Sequence, residues 1–117
     1  MENSQLKLWK NLNNDNSLIQ VQEYIRKVIE LRGFSEQNIE KTMLLLTEEV
    51  GELAKAIRKD KTSMSIDKSK IKNYDTIESE VADVFIVLCS ICNKLKIDLF
   101  SSLKQKEKEN IERKWNK

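Results

Sequence analysis

The sequence contains no histidine, no proline and only two glycines among its 117 residues. Without histidine, the chain can form neither a hydrolase triad with an imidazole base nor a metal site with imidazole ligands. Without proline and with so few glycines, it has little of the turn chemistry that all-β sandwiches and barrels require. Any polar chemistry must therefore come from carboxylates, lysine, arginine, amides or hydroxyls.

Cysteine is also scarce, since only Cys89 and Cys92 occur, in a C-x-x-C spacing. This spacing is found in redox pairs and in half of a zinc site. The chain has no other cysteine and no histidine that would complete a zinc site. Because the pair lies within a strongly apolar block, we expect both thiols to pack in the core as small hydrophobic residues.

The charges nearly cancel, with 21 Lys and Arg against 19 Asp and Glu and a net charge of +2. Such a balance does not indicate a nucleic-acid partner. The longest apolar stretch, residues 81–92, contains Asp83 and is shorter than the roughly 18 residues that a membrane span needs. Residues 1–9 have no apolar signal-peptide core. We therefore expect a cytoplasmic protein without a membrane partner.

Apolar residues recur at steps of three and four along most of the chain, which predicts an all-α fold. Four helices follow from this pattern, at residues 18–32, 35–59, 76–95 and 98–115. Ser17, Ser35 and Asp98 are candidate N-caps, and Gly33 is a candidate C′ residue. The second and third of these helices each carry an apolar seam that steps by 4, 3, 4, 3 and 4.

The remaining segments are polar, and they complete a single domain over residues 1–117. Residues 1–17 are predicted to be an arm or a short helix, which makes a bundle of four to five helices, and residues 60–75 a long loop. The helix at 76–95 is apolar nearly all round and must be covered on every side. Because three short partner helices would not cover it, we expect a homodimer or homotetramer with this helix near the interface.

Acidic residues flank the two seams. Glu48, Glu49 and Glu52 fall within an arc of about 100° on their helix, and Glu80 and Asp83 are neighbours on theirs. If the seams pack together, four or five carboxylates converge, and a bound cation would relieve their repulsion. Ligands that are all oxygen favour a hard divalent ion, Mg²⁺ or Mn²⁺. From these residues alone, a solvated acidic face is the alternative.

Gly51 lies inside the acidic motif. A glycine within a helix costs about 1 kcal/mol relative to alanine, so that some other feature should compensate for it. We expect either the close approach of another helix or a ligand that needs space beside the carboxylates.

The spacing of these carboxylates resembles a known signature. Glu48-Glu49-x-x-Glu52, 27 further residues and then Glu80-x-x-Asp83 resemble the E-E-x-x-E…E-x-x-D pattern of the MazG-like family of all-α nucleoside triphosphate pyrophosphohydrolases. The resemblance also covers Arg32-Gly33-Phe34, residues 46–54 and, near the C-terminal end, Lys106, Asn110 and Arg113.

The resemblance implies hydrolysis of a (deoxy)nucleoside triphosphate between its α and β phosphates, which yields the monophosphate and pyrophosphate. The implied Mg²⁺ ligands, with Mn²⁺ as a possible substitute, are Glu49, Glu52, Glu80 and Asp83. Glu48 would help a second metal or orient and deprotonate the attacking water. The implied contacts to the phosphates or the nucleotide are Lys106, Asn110 and Arg113. Phe34 and Trp9 are candidates for stacking on the base.

Two other functions remain open. Phosphoribosyl-ATP pyrophosphohydrolase shares the superfold and also uses paired glutamates, although residues 48–52 look closer to MazG. A non-catalytic helical oligomer, which would act as an interaction module through its heptad seams, predicts no metal dependence. It would also tolerate Glu52→Ala or Asp83→Ala.

Overall fold

The computed structural model describes residues 3–61 and 76–116, which contain five helices and no strand. The helices are α1 (Ser4–Lys10), α2 (Leu18–Leu31), α3 (Ile39–Lys61), α4 (Ile77–Lys94) and α5 (Leu99–Glu112). The all-α prediction is confirmed. The predicted N-terminal arm contains the short helix α1, and α3 continues to Lys61, so the predicted loop does not begin at residue 60. The rest of that loop, residues 62–75, lies outside the described residues.

Most helix ends follow local sequence signals. α2 begins with a capping box, in which the Ser17 side chain accepts from the Gln20 N–H and the Gln20 side chain accepts from the Ser17 N–H. The Asp98 carboxylate accepts a hydrogen bond from the Ser101 N–H and caps α5. These N-caps agree with the sequence pattern.

The predicted cap of α3 is wrong. The helix is capped by Asn38, whose side chain accepts a hydrogen bond from the Lys41 N–H at 2.8 Å. Serine and asparagine are about equally good N-caps, so residue type does not separate Ser35 from Asn38. Asn38 immediately precedes Ile39, the first residue of the apolar seam, and the helix begins there.

Two helices end in the same left-handed motif. Gly33 has φ +84° and follows α2, and Lys96 has φ +57° and follows α4. After α4, the Ile97 N–H donates to the Cys92 carbonyl at 2.8 Å and the Lys96 N–H to the Asn93 carbonyl at 3.3 Å. This pair of bonds is the Schellman arrangement, which normally has glycine at its left-handed position.

We expect Lys96→Gly to raise the free energy of unfolding by about 0.5–1 kcal/mol, because glycine adopts positive φ without the steric cost that a Cβ brings. Urea unfolding measures the change. Gly33→Lys is the reciprocal control and should destabilise the protein. A Lys96→Gly variant less stable than the wild type would contradict the prediction.

The chain divides into two compact units. The first comprises Met1–Glu36 with Cys92–Lys117 and holds α1, α2 and α5. The second comprises Gln37–Ile91 and holds α3 and most of α4. Each unit contributes a few buried side chains, among them Ile25 and Val28 in the first and Thr42, Ala56 and Val87 in the second.

A buried amide joins the elements of the first unit. Gln22 of α2 is 1% exposed. Its Nε2 donates to Asn93 Oδ1 at 3.3 Å and to the Ile97 carbonyl at 2.9 Å, and its Oε1 accepts from the Leu99 N–H at 2.9 Å. Asn93 Nδ2 donates in return to the Gln22 carbonyl at 2.9 Å. This network ties α2 to the turn between α4 and α5.

Both cysteines are core residues, as predicted. Cys89 is 0% and Cys92 5% exposed, and neither forms a disulfide. Burial raises the pKa of the Cys92 thiol, because desolvation disfavours the thiolate. Among the helices at residues 3–61 and 76–116, none is long and apolar enough to cross a bilayer.

Candidate metal centre

Three carboxylates converge within the second unit. Glu49 of α3 meets Glu80 and Asp83 of α4, and one oxygen from each lies within 4.8 Å of the other two. Glu80 is 6% exposed, and Glu49 and Asp83 are half-buried. Glu49 and Glu80 also take part in further interactions within the chain. This group is the carboxylate cluster.

Helix geometry explains how these side chains meet. Glu80 and Asp83 are three residues apart and therefore share one face of α4. Glu49 lies seven residues from both Thr42 and Ala56, which are 2% and 1% exposed, so all three occupy the buried face of α3. Glu49 thus lies on the buried side of α3, between Thr42 and Ala56 along the helix.

The donor set fits a hard divalent cation. Three negative charges held this close repel one another, and the repulsion grows as burial removes the screening of water. All three offer oxygen, the ligand atom that Mg²⁺ and Mn²⁺ prefer. Exposed acidic groups often cluster without a metal, whereas Glu80 is buried.

Two glutamates of the predicted site lie outside the cluster. Glu48 and Glu52 are exposed on α3, and Glu52 forms an ion pair with Lys55 at 3.5 Å. The sequence prediction did not include Lys55, although its (i, i+3) spacing from Glu52 signals such a pair. The structure therefore brings together three of the four predicted metal ligands.

Gly51 has open space beside it among the described residues. A side-chain carbon at this position would meet no described atom within 4 Å, so none of the described helices approaches it closely. The close approach of another helix, one of the two compensations expected for this glycine, is therefore not seen among the helices that the structure describes.

The residues predicted to contact the nucleotide, which are Lys106, Asn110, Arg113 and Phe34, belong to the first unit. Lys106 and Asn110 each contact a glutamate three positions away in the sequence. Lys106 pairs with Glu109 at 3.2 Å, and Asn110 Nδ2 donates to Glu107 at 3.0 Å. Phe34 is 53% exposed.

Arg113 lies just outside α5, because the helix ends at Glu112 rather than at the predicted residue 115, and Arg113 is extended. The Trp115 indole donates to the Asn110 carbonyl at 3.0 Å and satisfies a carbonyl at this end of the helix. The Arg113 guanidinium lies 4.8 Å from the centre of the Trp115 ring. Lys106 and Asn110 remain one turn apart on the same face.

Trp9, a candidate for base stacking, lines an open cavity of about 480 Å³ in the first unit. Tyr24 and Arg32 also line this cavity. Arg32 Nε donates to Gln5 of α1 at 2.9 Å, which links α1 to the end of α2.

The helices and the carboxylate cluster define an all-α protein with a candidate site for a divalent cation. The family model of the MazG nucleotide pyrophosphohydrolase domain matches residues 37–115, and the chain belongs to this family. The matched segment includes all three residues of the carboxylate cluster. It confirms the resemblance to the MazG family that the spacing of the carboxylates indicates. Membership in this family indicates nucleotide pyrophosphohydrolase activity in general terms. Enzymes of the family typically use divalent metals. A comparison with curated proteins gives no match.

Proposed function

We propose that the protein hydrolyses (deoxy)nucleoside triphosphates between the α and β phosphates in a Mg²⁺-dependent reaction. The observation that carries the proposal is the carboxylate cluster, because three convergent carboxylates lie within the segment that matches the pyrophosphohydrolase family. Hydrolysis of a triphosphate needs charge neutralisation and positioning more than a nucleophilic side chain. A chain without histidine can meet that need.

Glu49, Glu80 and Asp83 would hold Mg²⁺, and Glu52 is the fourth ligand that the family motif proposes. Glu52 is exposed and its pairing with Lys55 is a surface ion pair, which contributes little to stability, typically about 0–1 kcal/mol. Releasing Glu52 from Lys55 therefore has a small energetic cost. The bound ion would neutralise phosphate charge and lower the pKa of a water molecule.

Glu48 is the proposed general base. It lies one helical turn before Glu52, and its carboxylate is exposed to solvent, so it can accept a proton from water. The oxygen of that water forms a bond to the α phosphorus, and the bond from this phosphorus to the bridging oxygen breaks. Pyrophosphate leaves with the bonding electron pair, and the nucleoside monophosphate keeps the water oxygen.

The proposed substrate contacts are Lys106, Asn110, Arg113 and Phe34. Lys106 and Asn110 currently contact exposed glutamates, and such contacts are weak enough for a phosphate group to replace them. Arg113 carries a planar guanidinium that suits bidentate contact with phosphate oxygens. The half-exposed ring of Phe34 offers an apolar face to a base.

The test is a panel of canonical and modified nucleoside triphosphates, with phosphoribosyl-ATP included, incubated with Mg²⁺ in ¹⁸O-labelled water. We expect a monophosphate and pyrophosphate as products, with the label in the monophosphate. Label in pyrophosphate would mean attack at the β phosphorus, and a diphosphate with inorganic phosphate would contradict the α–β assignment.

Two further outcomes decide between the alternatives. Turnover of phosphoribosyl-ATP alone would favour the related pyrophosphohydrolase of that substrate. No turnover of any substrate with Mg²⁺ or Mn²⁺ would favour the non-catalytic oligomer and overturn the proposal.

A further inference from the structure

The cavity lined by Trp9 is formed by residues of α1 and α2, both in the first unit. Three neighbours on one side of α1 take part in it, because residues three and four positions apart share a helix face. Its volume of about 480 Å³ lies within the range of roughly 300–1,000 Å³ that small-molecule sites occupy. The lining residues of this α1–α2 cavity are Asn3, Gln5, Leu6, Trp9, Tyr24 and Arg32.

The amide groups of the α1–α2 cavity are left mainly as hydrogen-bond donors. Asn3 Oδ1 accepts from the Gln5 N–H at 2.7 Å, and Gln5 Oε1 accepts from Arg32 Nε at 2.9 Å. These two bonds fix the orientation of both amides, because a donor must meet the oxygen and not the NH₂ group. Each NH₂ group is then directed away from its engaged oxygen and can donate to a ligand. Such a lining favours a ligand that is rich in acceptor oxygens.

The charge of the cavity favours an anion. Among the described residues, Arg32 is the one charged side chain that lines it. The bond from its Nε to Gln5 holds the guanidinium in place. Within residues 3–61 and 76–116, no carboxylate pairs with its terminal nitrogens. A guanidinium with these nitrogens available can contact two oxygens of one phosphate group.

Two aromatic residues, one from each helix, line the same cavity. Trp9 is 59% exposed, and Tyr24 is half-buried. Aromatic side chains of this kind stack on nucleobases, because every base has a π face. Leu6 adds apolar surface beside them. A flat ring that carries an anionic group therefore matches both the aromatic and the charged parts of the lining.

The α1–α2 cavity differs in chemistry from the carboxylate cluster. No described carboxylate lines it, so it offers no ligand for the Mg²⁺ that accompanies a triphosphate. One guanidinium suits a single phosphate group better than three. All of its lining residues precede residue 37, where the match to the pyrophosphohydrolase family begins. The family match therefore assigns no role to this cavity.

We propose that the α1–α2 cavity binds a nucleoside monophosphate, with the base against Trp9 and Tyr24 and the phosphate on Arg32. The NH₂ groups of Asn3 and Gln5 donate to oxygens of the same ligand. The product of the proposed hydrolysis belongs to this class, so the site would detect that product. This last role rests on the proposed function, whereas the binding itself does not.

The first test is calorimetric titration of the full chain with adenosine monophosphate (AMP) in the presence of a metal chelator. We expect saturable binding of one AMP per chain. Adenosine and ribose 5-phosphate should each bind at least about tenfold more weakly, because each lacks one of the two recognised groups. Binding of ribose 5-phosphate as tight as that of AMP would contradict the stacking contact.

The second test removes the aromatic contact. Trp9→Leu should weaken the binding of AMP by about tenfold or more, because stacking on the base is lost. Trp115→Leu is the matched control, since Trp115 is also 59% exposed and does not line the cavity. It should leave the affinity for AMP unchanged. Circular dichroism confirms that both variants are folded.

The third test removes the phosphate contact. Arg32→Gln should weaken the binding of AMP by about tenfold or more and change that of adenosine little. Arg26→Gln makes the same chemical change at an exposed position of α2 outside the cavity, and it should have little effect on either ligand. An equal loss for AMP and adenosine in Arg32→Gln would mean that Arg32 only attaches α1, and it would contradict the phosphate contact.

The last comparison separates this cavity from the carboxylate cluster. Glu80→Gln, which removes a charge of the cluster, should leave the affinity for AMP unchanged. A loss of AMP binding in this variant would overturn the proposal, as would the absence of saturable binding to the wild type. A protein that binds AMP in this way but hydrolyses no triphosphate would keep the α1–α2 site and refute only the proposed function.

Discussion

Glu80→Gln should abolish Mg²⁺-dependent hydrolysis of the triphosphate, with a loss of at least about a hundredfold in kcat/KM. Glu80 is the most buried member of the carboxylate cluster. Glutamine has nearly the same volume and still fills the space, but it carries no negative charge for a cation. The variant therefore separates loss of the site from loss of packing.

Thermal unfolding gives a second readout for the same variant. A ligand that binds only the folded state raises its stability, so Mg²⁺ should raise the Tm of the wild type. It should raise the Tm of Glu80→Gln much less.

The matched control is Glu78→Gln. Glu78 lies on the first turn of the same helix, but it is exposed and outside the cluster. Its substitution makes the same chemical change and should leave turnover and the Mg²⁺ effect nearly unchanged. Full turnover in Glu80→Gln, or an equal effect of Mg²⁺ on the Tm of both variants, would reject the metal assignment.

Gln22→Leu should lower the free energy of unfolding by about 3–5 kcal/mol, because each buried polar group left without a partner costs about 1–3 kcal/mol. The substitution leaves the Leu99 N–H, the Ile97 carbonyl and Asn93 Oδ1 without the bonds that Gln22 makes. A typical domain is stable by only about 5–15 kcal/mol, so this is a severe loss.

Urea unfolding followed by tryptophan fluorescence suits this test, since both tryptophans, Trp9 and Trp115, belong to the same unit as Gln22. Gln22→Glu has the same shape but lacks both donors, and it should also destabilise strongly. Gln105→Leu, at an exposed position on α5, should change stability by no more than about 0.5 kcal/mol. If Gln22→Leu has the same urea midpoint of unfolding as the wild type, the hydrogen-bond network of Gln22 contributes little to the free energy of unfolding.

The carboxylate cluster shows how much of the candidate site the sequence pattern predicts. Spacing indicates that Glu80 and Asp83 share a face and that Glu49 flanks an apolar seam, and the structure brings these three together. Glu48 and Glu52 are separated from Glu49 by about 100° and 60° around α3. Spacing alone does not say which of these directions faces α4, and packing turned Glu49 inward and left the other two exposed.

The apolar seam of α3 differs from its prediction for a related reason. The sequence pattern predicts that the side chains at positions 43, 50 and 57 pack, whereas the structure leaves them exposed. Positions 44, 47, 51 and 54 of the same helix also carry no charge. These positions extend the apolar arc well beyond the width of one seam.

The sequence by itself determined the all-α class, the capping box at Ser17, the left-handed residue at Gly33 and the burial of both cysteines. These features depend on interactions between residues a few positions apart, or on a continuous apolar block. Only the tertiary structure decided which carboxylates converge and that Gln22 bonds to groups 71 to 77 positions away. Such contacts depend on the rotation of each helix about its axis, which the packing of all side chains determines together.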